Sequence, residues 1–316
     1  MEKKYVVGID VGGQSVKMGV VDRDANILAR TRFDMSVYGP DDTERFLSDL
    51  CAYIRELTSE VGLDSILGVG IGAPNGNYYE GTIVDAVNLP WAKGKTVPVR
   101  QYLSEHLGLD VTMTNDANAA AIGEMIYGNA KGMKNFIEIT LGTGVGSGIV
   151  IDGHVVYGND GFAGELGHTI AVRGGRLCGC GRKGCLETYA SSGGVIRTAQ
   201  EMLAASDEPS LLRGLERISS KDVFEAAVKG DRIAIEVFRY TGDILGQKFA
   251  DFVAFSAPEA IILFGGVSNA GDLLLDPVRE SYEKNVISLW KGKVKILRSG
   301  LPESDAAILG AGALAW

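Results

Sequence analysis

Short apolar runs and longer amphipathic stretches alternate along this chain. Apolar runs of about four to eight residues bounded by turn residues are typical of buried strands, and apolar residues three to four positions apart are typical of helices. Predicted strands span residues 5–11, 16–21, 27–33, 67–71, 111–114, 136–141, 146–151 and 260–264. Predicted helices span residues 41–61, 98–107, 116–125, 194–205, 220–228, 231–256 and 305–314. This alternation predicts an α/β protein in which residues 205–215 form the most loop-like stretch.

One local pattern occurs twice. An apolar strand, a glycine-rich turn, a second apolar strand and an aspartate follow one another with the same spacing, and the second copy lies 130 positions after the first. The corresponding residues are Ile9, Gly12, Val20 and Asp22 in the first copy and Ile139, Gly142, Val150 and Asp152 in the second. We therefore expect two similar lobes, each of which begins with a β-hairpin whose glycine turn faces a shared cleft.

Length and composition narrow the class of protein. A chain of 316 residues that is 46% hydrophobic is long enough for two domains. We expect a smaller N-terminal lobe of residues 1–117 plus about 303–316, and a larger lobe of residues 118–302. No apolar run reaches the roughly 18 residues of a membrane span, and the N-terminus lacks the apolar core of a secretory signal, which predicts a cytoplasmic protein. A formal net charge of −9 argues against nucleic-acid binding.

Three of the four cysteines lie close together after a histidine. Cys178, Cys180 and Cys185 follow His168 in a glycine-rich stretch, and one imidazole with three thiolates is a complete ligand set for tetrahedral structural zinc. Redox-active or disulfide-bonded cysteines and a nucleic-acid-binding zinc ribbon are the alternatives. The ligand count, which leaves no ligand over, favours zinc, and the acidic charge opposes the ribbon. We expect a structural Zn²⁺ ion in a loop of residues 168–187.

Two glycine-rich turns follow predicted strands. In residues 8–15 and 141–146, glycines allow main-chain N–H groups to approach phosphate oxygens, and Asp10 is positioned to hold Mg²⁺ through water. A dinucleotide-binding fingerprint is the alternative, but the first turn lacks Gly-x-Gly-x-x-Gly and the second leads into a strand. Neither turn has the lysine of a P-loop. The two turns together predict a clamp for a nucleoside triphosphate.

Three acidic residues are candidates for chemistry. Asp116, with Asn115 before it, lies where a predicted strand passes into a predicted helix. A side chain at this position commonly caps the helix, which does not exclude a role of Asp116 as the base that orients a hydroxyl for phosphoryl transfer. Glu165 and Glu187 flank the predicted zinc loop. Surface carboxylates are usually only solvated, but here a metal ion would hold these two near one another.

Seven short motifs are distributed from about residue 5 to the C-terminus. They are Asp10-Val-Gly-Gly, Asn88-Leu-Pro-Trp, Asn115-Asp-Ala-Asn-Ala-Ala, Leu141-Gly-Thr-Gly-Val-Gly, Glu165-Leu-Gly-His, Cys178-Gly-Cys-Gly-Arg-Lys-Gly-Cys-Leu-Glu and Phe264-Gly-Gly-Val. With these motifs the chain resembles the ROK family (repressor, open reading frame, kinase), and within it the bacterial ATP-dependent glucokinases. The resemblance implies a two-lobed, actin-like ATPase fold of the hexokinase and ribonuclease H-like type, which closes on its substrate. It also implies a homodimer or a homotetramer.

The same resemblance implies roles for individual residues. Asp116 would be the catalytic base for the 6-hydroxyl of a hexose, and His168 would be both a zinc ligand and a sugar contact. The other sugar-binding residues would be Gly72, Asn88, Asn115, Glu165 and Glu187. The residues that bind ATP and Mg²⁺ would be Asp10, Gly12, Gly13, Gln14, Ser15, Gly142, Thr143, Gly144, Gly265 and Gly266, the last two on the adenosine side.

Two positions depart from the usual pattern of this family. Gln14 follows Gly13 where the family usually has threonine, so that either the Gln14 amide or the Ser15 hydroxyl would contact phosphate. Asn75 separates Pro74 from a glycine where a Pro-Gly pair is common. Both departures lie at turns that follow strands, next to residues assigned to phosphate or sugar.

The resemblance predicts an enzyme that transfers the γ-phosphoryl group of ATP to the 6-hydroxyl of glucose. Kinases for N-acetylmannosamine, allose or fructose share most of the motifs and are the alternatives in substrate. A ROK-type repressor would carry a DNA-binding helix-turn-helix domain before the kinase-like body, and we expect the nine residues ahead of Asp10 to be too few for one. An actin-like filament protein would have no need for the zinc loop and the paired glutamates.

Overall fold

The computed structural model describes residues 3–302 and 305–316 and confirms the α/β class. The strands in this part of the chain are β1 (Tyr5–Val11), β2 (Ser15–Val21), β3 (Ile27–Asp34), β4 (Ile66–Gly72), β5 (Gly76–Asn77), β6 (Thr82–Val84), β7 (Thr96–Val97), β8 (Asp110–Thr114), β9 (Phe136–Leu141), β10 (Val145–Ile151), β11 (His154–Val155), β12 (Ala260–Phe264) and β13 (Lys295–Arg298). The α-helices there are α1 (Thr43–Leu57), α2 (Val99–Leu107), α3 (Asp116–Tyr127), α4 (Glu187–Ala190), α5 (Ser192–Ala205), α6 (Ser220–Val228), α7 (Arg232–Ser256), α8 (Asp272–Asn285) and α9 (Ala306–Ala313).

Two five-stranded sheets share one topology. The first has the strand order β3-β2-β1-β4-β8 and the second the order β11-β10-β9-β12-β13, while β5, β6 and β7 form a small third sheet. In the first sheet β2 is antiparallel to β1, and β4 and β8 run parallel to β1. In the second sheet β10, β12 and β13 stand in the same relation to β9. Because β2 and β10 begin 130 residues apart and also end 130 residues apart, the structure confirms the predicted repeat.

The first sheet is covered by helices with apolar faces. One face of α1 is buried, as its helical spacing of apolar residues predicts, and the Phe46 ring stacks on Trp91 with 3.9 Å between ring centroids. α9 approaches the sheet closely. Gly8 and Gly70 face its backbone, and a Cβ at either position would overlap a carbonyl oxygen of α9. Glycines in these strands therefore let a helix of small residues pack directly on the sheet.

The chain separates into two compact units. One unit consists of Met1–Gly132, Val155–Gly164 and Gly300–Trp316, and the other of Met133–His154 and Glu165–Ser299. The sequence-based boundary at residues 117 and 118 falls at the start of α3, and the structure keeps α3 in the first unit. α3 packs against α9 so closely that a Cβ on Gly123 would lie 2.8 Å from the Gly310 Cα. This packing depends on residues far apart in sequence, which local patterns do not reveal.

The sequence pattern identified most of the long elements but not all of them. α8 was not predicted, and it contains Pro277, a residue that usually ends a helix. Gly242 of α7 faces Pro277, where a Cβ would lie 2.6 Å from the proline Cβ, so that α7 packs closely on α8 at this point. The short strands β5, β6, β7, β11 and β13 were also missed, since two to four residues carry little periodicity. Among the residues that the structure describes, no helix has both the length and the apolar character needed to cross a bilayer.

Candidate functional site

The carboxyl ends of three parallel strands bring candidate residues of the first unit together. Asp10 near the end of β1 pairs with Gly72 at the end of β4, and Gly72 pairs with Thr114 at the end of β8. Asn115 and Asp116 follow directly. Ligands of open α/β sheets commonly bind at this edge, where side chains from adjacent strands converge. The pairing of the strands thus aligns Asp10, Gly72 and Thr114 across the sheet, although Asp10 and Thr114 are more than 100 positions apart in the sequence.

Asn115 is the N-cap of α3, and Asp116 is the first residue of the helix. The Ala117 amide donates to Asn115 Oδ1 at 2.8 Å and to Asp116 Oδ1 at 2.9 Å, so that both side chains cap the helix, as the sequence suggested. Capping fixes the direction of the Asp116 side chain. The Ala117 amide binds only Oδ1 of this carboxylate, so Asp116 Oδ2 can contact another group.

The negative charge of Asp116 affects the carboxyl group of Asp10. Burial, and then the negative charge of Asp116, raises the pKa of Asp10 to about 6, while Lys17 opposes the shift. Desolvation of its carboxyl group also raises the pKa of Asp116 against the opposing hydrogen bond from the Ala117 amide, although the residue as a whole is exposed. Both shifts mean that negative charge is poorly compensated by the protein alone. A bound cation, or a proton taken from a hydroxyl group, would compensate this negative charge.

Lys17 is part of this site but was not among the predicted residues. It lies opposite Asp10 in the β1–β2 hairpin and lowers the pKa of that carboxyl group. The sequence did carry a signal, because a two-stranded hairpin around the first glycine turn sets these two residues directly across from each other.

The first glycine turn joins β1 to β2. The Gly12 amide donates to the Ser15 carbonyl at 3.0 Å, and a Cβ on Gly13 would lie 3.2 Å from the Asn88 carbonyl oxygen. Gln14 is exposed at the tip, whereas Ser15 is buried at the start of β2. Of the two residues that stand in for the family's threonine, Gln14 is therefore the one with an accessible polar group.

The metal-ligand cluster of the second unit has the dimensions of a tetrahedral site. One ligand atom each from His168, Cys178, Cys180 and Cys185 lies within 4.8 Å of all the others. Cys180 and Cys185 Sγ are 3.7 Å apart, and Cys178 Sγ is 3.6 Å from His168 Nδ1. Tetrahedral zinc, with Zn–S near 2.3 Å and Zn–N near 2.0 to 2.1 Å, requires about 3.8 Å and about 3.6 Å for these separations. The cluster fits zinc, and the cysteines are not paired in a disulfide.

Both predicted glutamates adjoin this cluster. Glu165 precedes the 3₁₀ turn Leu166–His168, and its Oε2 lies 4.0 Å from His168 Nε2. Glu187 begins α4, and its Oε1 lies 3.6 Å from Cys178 Sγ. His168 therefore turns Nδ1 towards the sulfur atoms and Nε2 towards Glu165. This orientation is the one that a residue with a metal on one nitrogen and a polar ligand on the other requires.

Glu187 also reaches the second glycine turn. The Val145 amide donates to Glu187 Oε2 at 3.1 Å, and a Cβ on Gly144 would lie 2.6 Å from the same oxygen. The turn is held from the other side by the Ser192 amide, which donates to the Gly142 carbonyl at 2.8 Å. The Glu187 carboxylate therefore contacts both the cluster of candidate metal ligands and the second glycine turn. The sequence did not show this connection.

A third glycine pair lies beside this turn. Phe264 at the end of β12 pairs with Thr140 of β9, and Gly265, with φ +95°, packs against the Leu141 carbonyl at a distance that excludes a Cβ. Gly266 borders a cavity of about 350 Å³. The cavity is also lined by residues of α5, α6 and α7, including Val195, Lys221, Phe224 and Phe238. The apolar residues among them were missed because apolar side chains on helices usually indicate core packing.

The predicted residues therefore form two groups, one in each unit. The strand ends and the first glycine turn of the first unit gather Asp10, Gly12, Gly13, Gln14, Ser15, Gly72, Asn88, Asn115 and Asp116. The zinc loop and the two later glycine turns of the second unit gather Gly142, Thr143, Gly144, Glu165, His168, Cys178, Cys180, Cys185, Glu187, Gly265 and Gly266.

Comparison with known proteins agrees with these features. Residues 6–316 match the model of the ROK family. The glucokinase of Halalkalibacterium halodurans is 35% identical over 319 residues, which cover 99% of this chain and 95% of that protein. The crystal structure of a ROK family glucokinase from Streptomyces griseus in complex with glucose and AMPPNP superposes with a TM-score of 0.81 at 34% identity, covering 98% of each chain.

Transcriptional repressors are also similar, over a smaller part of their length. The xylose repressor of Bacillus subtilis is 27% identical over 306 residues, which cover 96% of this chain but 75% of the repressor. The chain thus matches the kinases over nearly their whole length and the repressor over three-quarters of it.

Proposed function

Because the chain belongs to the ROK family, we propose that it is an ATP-dependent glucokinase, which transfers the γ-phosphoryl group of ATP to the 6-hydroxyl of glucose. The observation that carries the proposal is the pair Asp10 and Asp116 at the carboxyl ends of strands on either side of β4, where the charge of Asp116 raises the pKa of Asp10 beside a glycine turn. Similarity to glucokinases over nearly the full length supports the same conclusion.

Asp116 is the proposed catalytic base. Its position at the first turn of α3 is fixed by the Ala117 amide, and its raised pKa favours acceptance of a proton from a hydroxyl group. Phosphoryl transfer requires little covalent help from the protein, which mainly orients the nucleophile and compensates charge. In this role Asp116 would orient the 6-hydroxyl and accept its proton as the bond to phosphorus forms.

The remaining hydroxyl groups of the sugar would be bound by polar side chains around the zinc loop and the first sheet. Charged and amide groups in such a pocket reject sugars that lack or invert a hydroxyl, because the unmatched polar group is then left without a partner. The proposed contacts are the main chain of Gly72 and the side chains of Asn88, Asn115, Glu165, His168 and Glu187. Zinc would serve structure here, by holding His168 and the start of α4 in place.

The glycine turns would bind ATP. Gly12, Gly13 and the exposed Gln14 amide offer donors to phosphate oxygens on one side, and Gly142, Thr143 and Gly144 do so on the other. Asp10 would hold Mg²⁺ through water, and the ion would compensate charge on the phosphates. The cavity beside Gly266, with two phenylalanine rings in its wall, has the size and apolar lining suited to adenosine.

A hexose panel tests the proposed function. In a coupled assay with ATP and Mg²⁺, glucose is expected to give a higher kcat/KM than N-acetylmannosamine, allose and fructose, since relatives with nearly full coverage are glucokinases. Mass spectrometry should identify a hexose 6-phosphate. If the enzyme preferred another sugar of the panel, the proposed substrate would change, but the assignment as a sugar kinase would stand. Failure to phosphorylate any sugar would overturn the proposal.

The pH profile provides a second test. A base must be unprotonated to act, so kcat/KM for the sugar falls as the pH drops through the pKa of that base in the free enzyme. Because the protein raises the pKa of Asp116, the decline is expected at a higher pH than the ordinary carboxyl value of about 4. Samples incubated at each pH and assayed at neutral pH control for unfolding. A flat profile down to pH of about 4.5 would contradict the assignment.

A further inference from the structure

The three cysteines of the metal-ligand cluster differ in their access to solvent. Cys178 and Cys185 are buried, whereas Cys180 is exposed. A Cβ placed on Gly179 or on Gly181, the residues on either side of Cys180, would meet no atom within 4 Å beyond the adjacent residues, so this part of the loop is surrounded by open space. An oxidant dissolved in water can therefore reach Cys180 more readily than the other two sulfur atoms.

Cys180 lies in a short hairpin that carries positive charge. Leu177 and Lys183 form an antiparallel bridge, and the Cys178 amide donates to the Arg182 carbonyl at 2.9 Å, so that Cys180 lies between the two arms. Arg182 and Lys183 are both exposed and follow Cys180 within three positions. Reactive cysteines are typically those that are partly exposed and have positively charged surroundings.

A second thiol lies within reach of Cys180. The Sγ atoms of Cys180 and Cys185 are 3.7 Å apart, and a disulfide requires about 2.05 Å, so the two atoms need to approach by less than about 2 Å. Cys178 Sγ instead contacts His168 Nδ1 and Glu187 Oε1, each at 3.6 Å. An accessible cysteine with a second cysteine beside it is the arrangement that allows reversible oxidation.

We propose that Cys180 is a modification site for hydrogen peroxide, at which oxidation forms a disulfide with Cys185 and releases the zinc ion of the cluster. The Cys180 thiolate first attacks one peroxide oxygen, the O–O bond breaks, and a sulfenic acid and a hydroxide ion form. The Cys185 thiolate then attacks the sulfenic sulfur, the S–O bond breaks, and a second hydroxide ion leaves. Two electrons thereby pass from the two sulfur atoms to the peroxide.

The disulfide would remove two of the four metal ligands. Only His168 and Cys178 would remain, which is half of the ligand set that structural zinc requires. A thiol reductant would reverse the disulfide, and added zinc would then restore the cluster. An effect on the sugar KM, through His168 and Glu187, is expected as well, and this consequence alone rests on the proposed function.

Peroxide treatment of the zinc-loaded protein is the direct test. We expect the release of about one zinc ion per chain, measured with a zinc-binding dye, and its reuptake once a thiol reductant and zinc are added. Trypsin cleaves after Arg182 and Lys183, which separates Cys180 and Cys185 into different peptides. Mass spectrometry without reduction should find these peptides joined, and fragmentation should locate the bond between Cys180 and Cys185.

Cys180→His separates oxidation from metal binding. Two cysteines with two histidines are a common ligand set for structural zinc, and the substitution removes the exposed thiol of the cluster. Under peroxide we expect this variant to lose zinc at least about tenfold more slowly than the parent protein. Cys51→Ser is the matched control, because it changes the cysteine outside the cluster, and it should release zinc at the parental rate.

Three results would overturn the inference. They are zinc retained by the parent protein at peroxide concentrations that oxidise a free thiol, a disulfide that includes Cys178, and equally fast zinc release from Cys180→His and the parent. If Cys180→His binds no zinc, the peptide map of the parent protein still decides which cysteines pair. Zinc release and the peptide map involve no sugar, so a protein that phosphorylates no sugar would overturn the proposed function and leave this inference in place.

Discussion

Asp116→Asn is expected to lower turnover about 100- to 10,000-fold while the KM for the sugar changes little. An asparagine oxygen can still accept the hydrogen bond that the Ala117 amide donates to Asp116 Oδ1, so the start of α3 should keep its geometry. The variant loses only the capacity to accept a proton from the 6-hydroxyl. Steady-state kinetics with glucose and ATP, accompanied by the melting temperature, measure the effect.

Asp110→Asn is the matched control for this substitution. Asp110 is exposed at the first residue of β8, the strand that leads to Asp116, so the same chemical change is made away from the site. Its turnover should equal that of the parent protein. If Asp116→Asn retained turnover within about threefold of the parent, Asp116 could not be the base, since general base catalysis is worth at least about 100-fold.

Cys180→Ser is expected to release zinc and to raise the KM for the sugar about 10- to 100-fold. Serine is a weak zinc ligand, and the four-ligand cluster has no residue to replace it. Without the metal, His168 and Glu187 lose their common support, because Cys178 lies within 3.6 Å of an atom of each. The KM for ATP should change less. Elemental analysis gives the zinc content, and kinetics on the same sample give both KM values.

Cys51→Ser provides the control for the chemical change itself. Cys51 is the one cysteine outside the cluster; it is buried in α1, where a serine hydroxyl can bond to the carbonyl one turn earlier. This variant should contain as much zinc as the parent and show the same sugar KM. A Cys180→Ser protein free of zinc but with parental kinetics would show that the metal and the sugar site are independent.

Local sequence signals were most informative where a site is built from residues that lie close together in the sequence. The glycine turns, the Asn115-Asp116 pair and the His168 to Cys185 spacing were each visible as short motifs, and the structure places them at strand ends, at a helix start and in one ligand cluster. Backbone geometry explains this success. A turn that approaches a ligand needs glycine, and a metal loop needs its ligands at fixed short spacing, so these requirements are written in consecutive residues.

Signals that span long stretches of chain were weaker. Lys17 opposite Asp10 was overlooked although the hairpin implied it, and the phenylalanines beside Gly266 had no signal that distinguished them from core residues. The sequence leaves open whether Gln14 or Ser15 contacts phosphate, and the exposure of Gln14 and the burial of Ser15 favour the Gln14 amide. The burial of a side chain depends on all the elements packed around it, so a local sequence pattern does not show it.

The sequence by itself determined the α/β class, the internal repeat, the ROK resemblance and the four candidate metal ligands, because each is encoded by periodicity or by residues close together in the chain. Only the tertiary structure decided that α3 packs with α9 and that Glu187 joins the cluster of candidate metal ligands to the second glycine turn. The contacts of α3 with α9 and of Glu187 with the glycine turn join segments about 40 to 190 positions apart, and they form only when strand register and helix packing bring the segments together.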